Sequence, residues 1–416
     1  MAWLTALAVL ATAPAVAPIV ATQTAVAAES GVLTESERAQ EQAAESGEQV
    51  EVVGERTARE TVFANPDGRT FTLRKSIAPV RVEKPDGGWT EPDATLVKRA
   101  DGTVGPKAAT VDLSFSGGGD GKDLVTIAEG GQSVTLGWPG TLPAPRLEGA
   151  RAVYENVRPD VNLILTATVE GFRQVLEVET LAAAKDPALA SLKYSMDAEG
   201  LRVRDGAAGT MEALDGNGQV VFRSPSARMW NSAGQAGSSG GGSAQNLVLR
   251  PAGKISSTEP PEGSQSVTLK DERPAGPTEE GDPLAGPGTG DEAAVMDVDV
   301  TQTQITVTPD TGLIADTTST ELPLYIDPSV EMNESERTVL SSDGDVFYNF
   351  SGGDNGMSVG RCSSAVIGGV RYYCTAGSAY TNRMYFEFTP GKLKGKEVLD
   401  ATFSVTETWS FSCDAR

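Results

Sequence analysis

The sequence contains no histidine. That absence excludes Ser-His-Asp and Cys-His catalysis, imidazole metal sites and the side chain that most often serves as a general base near neutral pH. Carboxylate chemistry is what remains open to an enzyme. Aromatic residues are scarce, at 6%. With 46 Gly and 24 Pro in 416 residues, part of the chain cannot bury enough apolar surface to offset its ordering entropy, and long disordered stretches are expected. Positive charge is short as well: 34 Lys plus Arg stand against 57 Asp plus Glu, a net charge of -23. Such a chain opposes the phosphate neutralisation on which nucleic-acid affinity depends, so no nucleic-acid partner is expected; the same charge keeps an exported protein soluble.

What is present begins with an uncharged stretch. Residues 1–28 hold Leu4, Leu7, Val9, Leu10, Val16, Ile19 and Val20 before Ala25-Val26-Ala27. A small-residue cleavage signal behind an apolar run is the pattern of an export peptide, cut near Ala27 or Ala28. Pro14 and Pro18 argue against a spanning helix, so no membrane span is expected after cleavage, and the destination is secreted or cell-surface. No basic n-region precedes the apolar run, so either the true start lies upstream or the signal is atypical. Residues 29–61 are rich in Glu, Gln and Ala, with Thr34 and Glu37 at capping-box spacing, which predicts a polar helical arm.

The clearest element is a β-hairpin between Val153 and Val178. Val161, Leu163, Leu165, Ala167 and Val169 alternate with Asn162, Thr166 and Thr168. After a turn at Glu170-Gly171, Phe172, Leu176 and Val178 fall on one face and Arg173, Glu177 and Glu179 on the other. Short strands broken by turn chemistry surround it, as at Asn65-Pro66-Asp67-Gly68, Pro85-Asp86-Gly87-Gly88, Asp101-Gly102 and Asp215-Gly216-Asn217-Gly218. Leu181 to Leu192 reads as one short helix, interrupted by Asp186-Pro187. Residues 233–293 have linker composition, with brief strands at Leu247–Leu249 and near Val267–Leu269. Strands from 295 to 330 are too few to make a core alone. The expected fold is therefore mainly β: an antiparallel β-sandwich over 62–330 with a disordered insertion at 233–293, then an incomplete second β-sandwich over 331–416. The alternative is two separate domains before residue 330.

Several motifs invite chemistry and have a simpler reading. Gly117-Gly118-Gly119-Asp120-Gly121-Lys122 looks like a phosphate loop, but Ser116 stands where that motif needs Gly and Asp123 where it needs a hydroxyl; a flexible loop is the expectation. Asp343 and Asp345 resemble the start of a calcium loop, but the later ligands are missing and a turn is expected. Glu177 with Glu179, and Asp297 with Asp299, are same-face pairs at strand spacing; a solvated face explains them more simply than a glycosidase-type pair. No catalytic, cofactor-binding or metal-binding residue is assigned. Cys362 and Cys374 sit close together in an exported chain, where thiols oxidise, so a local disulfide is expected. Cys413 is then odd, its partner falling beyond Arg416; a zinc site with three sulfurs and no His is the weaker reading. Tyr385 and Trp409 are the candidates for stacking on sugar rings, although aromatics on an alternating strand such as Ala401 to Cys413 are more often core. The sequons Asn333-Glu334-Ser335 and Asn349-Phe350-Ser351 matter only in a eukaryotic host.

With these residues in view, the chain resembles the N-terminal region of large secreted actinobacterial multidomain proteins, the kind that carry LamG modules, DNRLRE modules or RHS repeats further on. The phrases that carry the likeness are Leu136 to Leu142 (LGWPGTL), Val161 to Leu176 (VNLILTATVEGFRQVL), Pro323 to Pro328 (PLYIDP) and Leu399 to Cys413 (LDATFSVTETWSFSC). Ala64 to Gly68 and Lys98 to Val104 add to it. The resemblance implies that Tyr385 onward opens a DNRLRE-like module similar to carbohydrate-binding sandwiches, and that the complete protein continues past Arg416. It carries over no site residues. The expected function is that of a secreted, non-catalytic scaffold that binds an extracellular glycan or the cell envelope, without a cofactor. The alternatives are a polysaccharide hydrolase using paired carboxylates and the delivery part of an RHS or toxin-like protein.

Overall fold

A computed structural model gives the fold. It describes residues 33–205, 210–224, 226–236, 248–250, 282–284, 286–287, 291–328, 330–331, 336–341, 346–348, 359–362, 365–367, 370–372, 380–388 and 391–404. The described chain is mainly β and its sheets are antiparallel with one short exception, as the alternation predicts. It divides into two compact units, Met1–Gly54 with Val62–Thr72, and Glu55–Thr61 with Leu73–Arg416.

In the first unit, helix α1 (Glu35–Ser46) begins where the capping box places it. Thr34 accepts the backbone N–H of Glu37, and the Glu37 carboxylate accepts that of Thr34. Gly47, at φ 72°, ends the helix in a left-handed cap that a side chain would resist. The helix is therefore shorter than 29–61 and is not a solvated arm: Ala39 and Ala43 are buried against Val52 and Ala64.

The second unit is built on fourteen principal strands. The first five are β1 (Asp93–Lys98), β2 (Val104–Ala108), β3 (Asp112–Phe115), β4 (Val125–Glu129) and β5 (Gln132–Gly137). The next four are β6 (Arg151–Arg158), β7 (Val161–Ala167), β8 (Gly171–Val178) and β9 (Leu192–Glu199). Then come β10 (Arg228–Trp230), β11 (Glu292–Val295), β12 (Asp297–Val300), β13 (Gln304–Thr308) and β14 (Leu324–Asp327). One sheet has eight strands in the order β12-β13-β9-β5-β4-β3-β2-β1. The other has twelve; β8 lies at its branch point, paired with β7 on one side and with β14 and Val330–Glu331 on the other, and the sheet continues through β10 and β11. Strands from beyond the 233–293 stretch thus pair directly with strands from before it: β13 with β9, β14 with β8 and β10.

One core fills the space between the sheets. Leu113, Phe115, Ile127, Val134 and Leu136 from the smaller sheet meet Tyr154, Leu163, Leu165, Phe172 and Leu176 from the larger. Phe115 and Phe172 touch edge to face at 6.1 Å. Each such side chain contributes roughly 1.5–3 kcal/mol by leaving water. The central hairpin departs from its expected turn. Ala167 pairs with Phe172, and β7 ends there because Thr110 takes the Val169 carbonyl through both its N–H and its hydroxyl, each at 2.8 Å. The turn is centred on Val169-Glu170, one residue earlier than the sequence pattern suggests. The face opposite the core is not wholly polar either, since Ile164 and Val175 are buried on it.

The expected helix from Leu181 to Leu192 is only the single turn Leu181–Ala184. Pro187 bars its predecessor from helical backbone, and Leu192, Tyr194 and Met196 alternate into the core as β9. The run expected at Leu247–Leu249 appears as Val248–Arg250, paired in parallel with β11. Toward the C-terminus Glu336–Ser341 pairs with Val346–Tyr348 and Tyr380–Glu387, and the latter with Gly360–Cys362. Residues 401–404, the start of the expected alternating strand, are not in a strand. Among the described residues no helix is long and apolar enough to cross a membrane.

Candidate functional site

An open cleft lies beside the turn between two short strands, Val82–Glu83 and Trp89–Thr90. It is lined by Lys84 to Asp86, by Thr90 to Asp93, and by Lys107 and Ala108 of β2. It is open and about 870 Å³ in volume, within the range of small-ligand sites. The turn is fixed by Lys84 N–H donating to the Gly88 carbonyl at 2.7 Å, with Gly87 at φ 80°. Asp86 accepts the Gly88 N–H and, with the Lys84 ammonium beside it, is held below the ordinary carboxylate range. Asp93 is lowered too, by the Thr95 hydroxyl and backbone N–H and by Lys107, whose Nζ stands 3.3 Å away. Trp89 flanks the turn under the Arg81 guanidinium, 5.8 Å from its ring centre. The cleft thus brings together two carboxylates, the two ammonium groups paired with them, and two prolines. That arrangement can bind a polyhydroxylated molecule through many weak hydrogen bonds; it offers no nucleophile paired with a base.

The carboxylate pairs lie outside this cleft. Glu177 and Glu179 both accept from the Asn162 amide, at 3.1 and 2.9 Å. Asp297 and Asp299 are exposed on the edge strand β12. Tyr385 is 49% exposed on Tyr380–Glu387, so its ring is available to a ligand, and Phe386 and Phe388 both touch Phe403. Cys374, Cys413, Trp409, the Asp343 and Asp345 turn, and the first 32 residues lie outside the described residues; of Cys362 only the backbone is described. Among the described residues no group of three or more His, Cys, Asp or Glu could hold a metal ion.

The glycine-rich run, expected as a loop, packs closely against neighbouring backbone. Gly119 exchanges backbone hydrogen bonds with Leu142 at 2.8 and 2.9 Å. A Cβ on Gly121, at φ 76°, would stand 2.1 Å from the Gly140 carbonyl, and one on Gly117 2.0 Å from that of Gly102. These glycines allow backbone to cross backbone.

Sequence reasoning missed two polar features. Gln174 faces the core from β8, its amide donating to the Tyr194 hydroxyl at 2.7 Å, both side chains buried. On the opposite face of the larger sheet Trp230 stacks on Tyr325, ring centres 5.6 Å apart, in a separate cluster with Val175 and Ala293. Next to it, fully buried Asn231 accepts the N–H of Ala233 and Glu292, and its own amide nitrogen has no acceptor among the described residues. The signal for the Trp230 cluster was present as apolar residues at Ile164 and Val175 on the face expected to be polar.

No protein-family model, curated protein or solved structure matches the chain.

Proposed function

We propose that the protein is a secreted, non-catalytic scaffold whose β-sandwich presents a polar cleft to an extracellular polyhydroxylated ligand, a glycan of the cell envelope or its surroundings. The observation that carries this reading is the composition of the Lys84 to Ala108 cleft: ionised Asp86 and Asp93 accept from sugar hydroxyls, Lys84 and Lys107 donate to them, and Pro85 and Pro92 cover apolar ring faces. Exposed Tyr385 supplies a second aromatic contact surface in the C-terminal part. The apolar N-terminal run and the likeness to exported actinobacterial proteins support the extracellular setting. The test is a glycan array on the purified chain, followed by titration of the hits and a reducing-sugar assay. Binding that weakens about tenfold in Lys107→Ala or Asp93→Ala, with no sugar released, supports the proposal. Sugar release by the wild-type chain, or hits indifferent to both substitutions, overturns it.

A further inference from the structure

The outer face of the larger sheet holds an aromatic pair against which a short piece of chain packs. Cross-strand registers align Glu177 on β8, Tyr325 on β14, Trp230 on β10 and Ala293 on β11 in a single row. This face points away from the sandwich core, yet Trp230 is 1% and Tyr325 3% exposed. Among the described residues, the segment Asp282-Pro283-Leu284 that leads back into β11 packs against this pair.

Three separate contacts seat it. The Trp230 indole N–H donates to the Pro283 carbonyl at 3.1 Å. Leu284 packs on the cluster of Val175, Trp230, Ala293 and Tyr325. Asp282 forms an ion pair with Arg151 of β6 through one carboxylate oxygen, while the other accepts the Leu284 N–H at 3.2 Å and sets the bend. An aromatic platform whose indole N–H takes a carbonyl from a proline-containing segment is a recurring means of peptide recognition, because proline enters with its backbone angle already fixed. Here the Leu284 contact and the Arg151 guanidinium flank the platform, so an acid, a backbone carbonyl and an apolar residue are each met in that order by a partner of matching chemistry.

We propose that this row is a peptide-recognition site for an Asp-Pro-Leu segment, occupied in cis by residues 282–284 and so latching the returning end of the 233–293 stretch to the sheet. The site is a separable receptor and not merely a packing surface. It therefore accepts the same segment in trans once the cis copy is weakened, since a tethered occupant otherwise competes at an effective concentration near millimolar.

The test uses the full chain and a fluorescently labelled peptide of the sequence of residues 280–287, EGDPLAGP. The double variant Asp282→Ala, Leu284→Ala is expected to bind it saturably, at least tenfold more tightly than wild type. Adding Trp230→Phe, which removes the indole donor, is expected to weaken that binding about tenfold with near-ultraviolet circular dichroism otherwise retained. Should the double variant fail to fold, Leu284→Ala alone serves, since that side chain makes apolar contacts only. Absence of saturable binding to a folded cis-weakened variant overturns the proposal. So does equal binding to wild type, or indifference to Trp230→Phe.

Discussion

Gln174 of β8 and Tyr194 of β9 join the two sheets through a hydrogen bond of 2.7 Å buried in the sandwich core. Each partner makes the other affordable there. Burial pushes the Tyr194 hydroxyl far above its ordinary titration range, with the Gln174 bond opposing that shift only in part. Tyr194→Phe leaves a buried amide donor without its acceptor and is expected to cost about 1–3 kcal/mol. Replacing both partners, as Gln174→Leu with Tyr194→Phe, removes the orphaned group and is expected to cost less than the two single changes added together. Urea unfolding of the three variants measures this; strict additivity would show that the bond does not couple the sheets.

Glu170, at the tip of the central hairpin, forms an ion pair with Arg59, whose side chain is 4% exposed. Glu170→Ala removes one partner of that buried guanidinium, whose Nε still donates to the Ile77 carbonyl at 3.2 Å, and is expected to destabilise by about 1–3 kcal/mol. Lys122→Ala, at an exposed pair with Asp120, is expected to change stability by less than about 0.5 kcal/mol. Chemical denaturation of the two variants compares them; equal effects would contradict the assignment.

Gly121→Ala combines a left-handed backbone with a collision against the Gly140 carbonyl, so a loss above about 1–3 kcal/mol is expected. Gly216→Ala meets nothing within 4 Å and is expected to be near neutral. Thermal melts of both variants provide the comparison, and a tolerated Gly121→Ala would mean that the loop is slack.

Stability should be flat from about pH 5 to 8, because no histidine titrates there. Below that range it should fall. Asp67, Asp86, Asp120 and Asp215 accept backbone N–H groups, and Asp101 chiefly the Thr103 hydroxyl, which holds all five below their ordinary values. The unfolded chain therefore takes up protons first, near pH 4, and the stabilisation is lost as pH drops through the folded values. On the alkaline side burial raises Tyr154 and Tyr194 strongly and Tyr325 to about 12. The unfolded forms ionise near pH 10, so stability falls from there upward. Melting temperature against pH records both limbs; a step between pH 5 and 7 would contradict this account.

The alternation of β7 and β8 was legible because one face meets a continuous apolar core, and the capping box of α1 because its two bonds are local. The turn of the hairpin was not, since Thr110 and Arg59 fix it from far away in the chain. Gln174 was hidden for the same reason, its partner arriving on another strand, and the Trp230–Tyr325 face showed only as apolar Val175 on a face otherwise polar. The cleft showed in the sequence only as turn chemistry at Pro85 to Gly88, because Lys107 joins it through the register of β1 with β2.

Everything positioned by these sheets depends on strands from both sides of the 233–293 stretch forming one body, with β13 paired to β9 and β14 set between β8 and β10. A single protease site placed between residues 251 and 281 and cut to completion tests that most directly. The two fragments are expected to co-elute in native size exclusion with the circular dichroism of the intact chain, and to separate only in denaturant. Fragments that part or precipitate on cleavage under native conditions would contradict it.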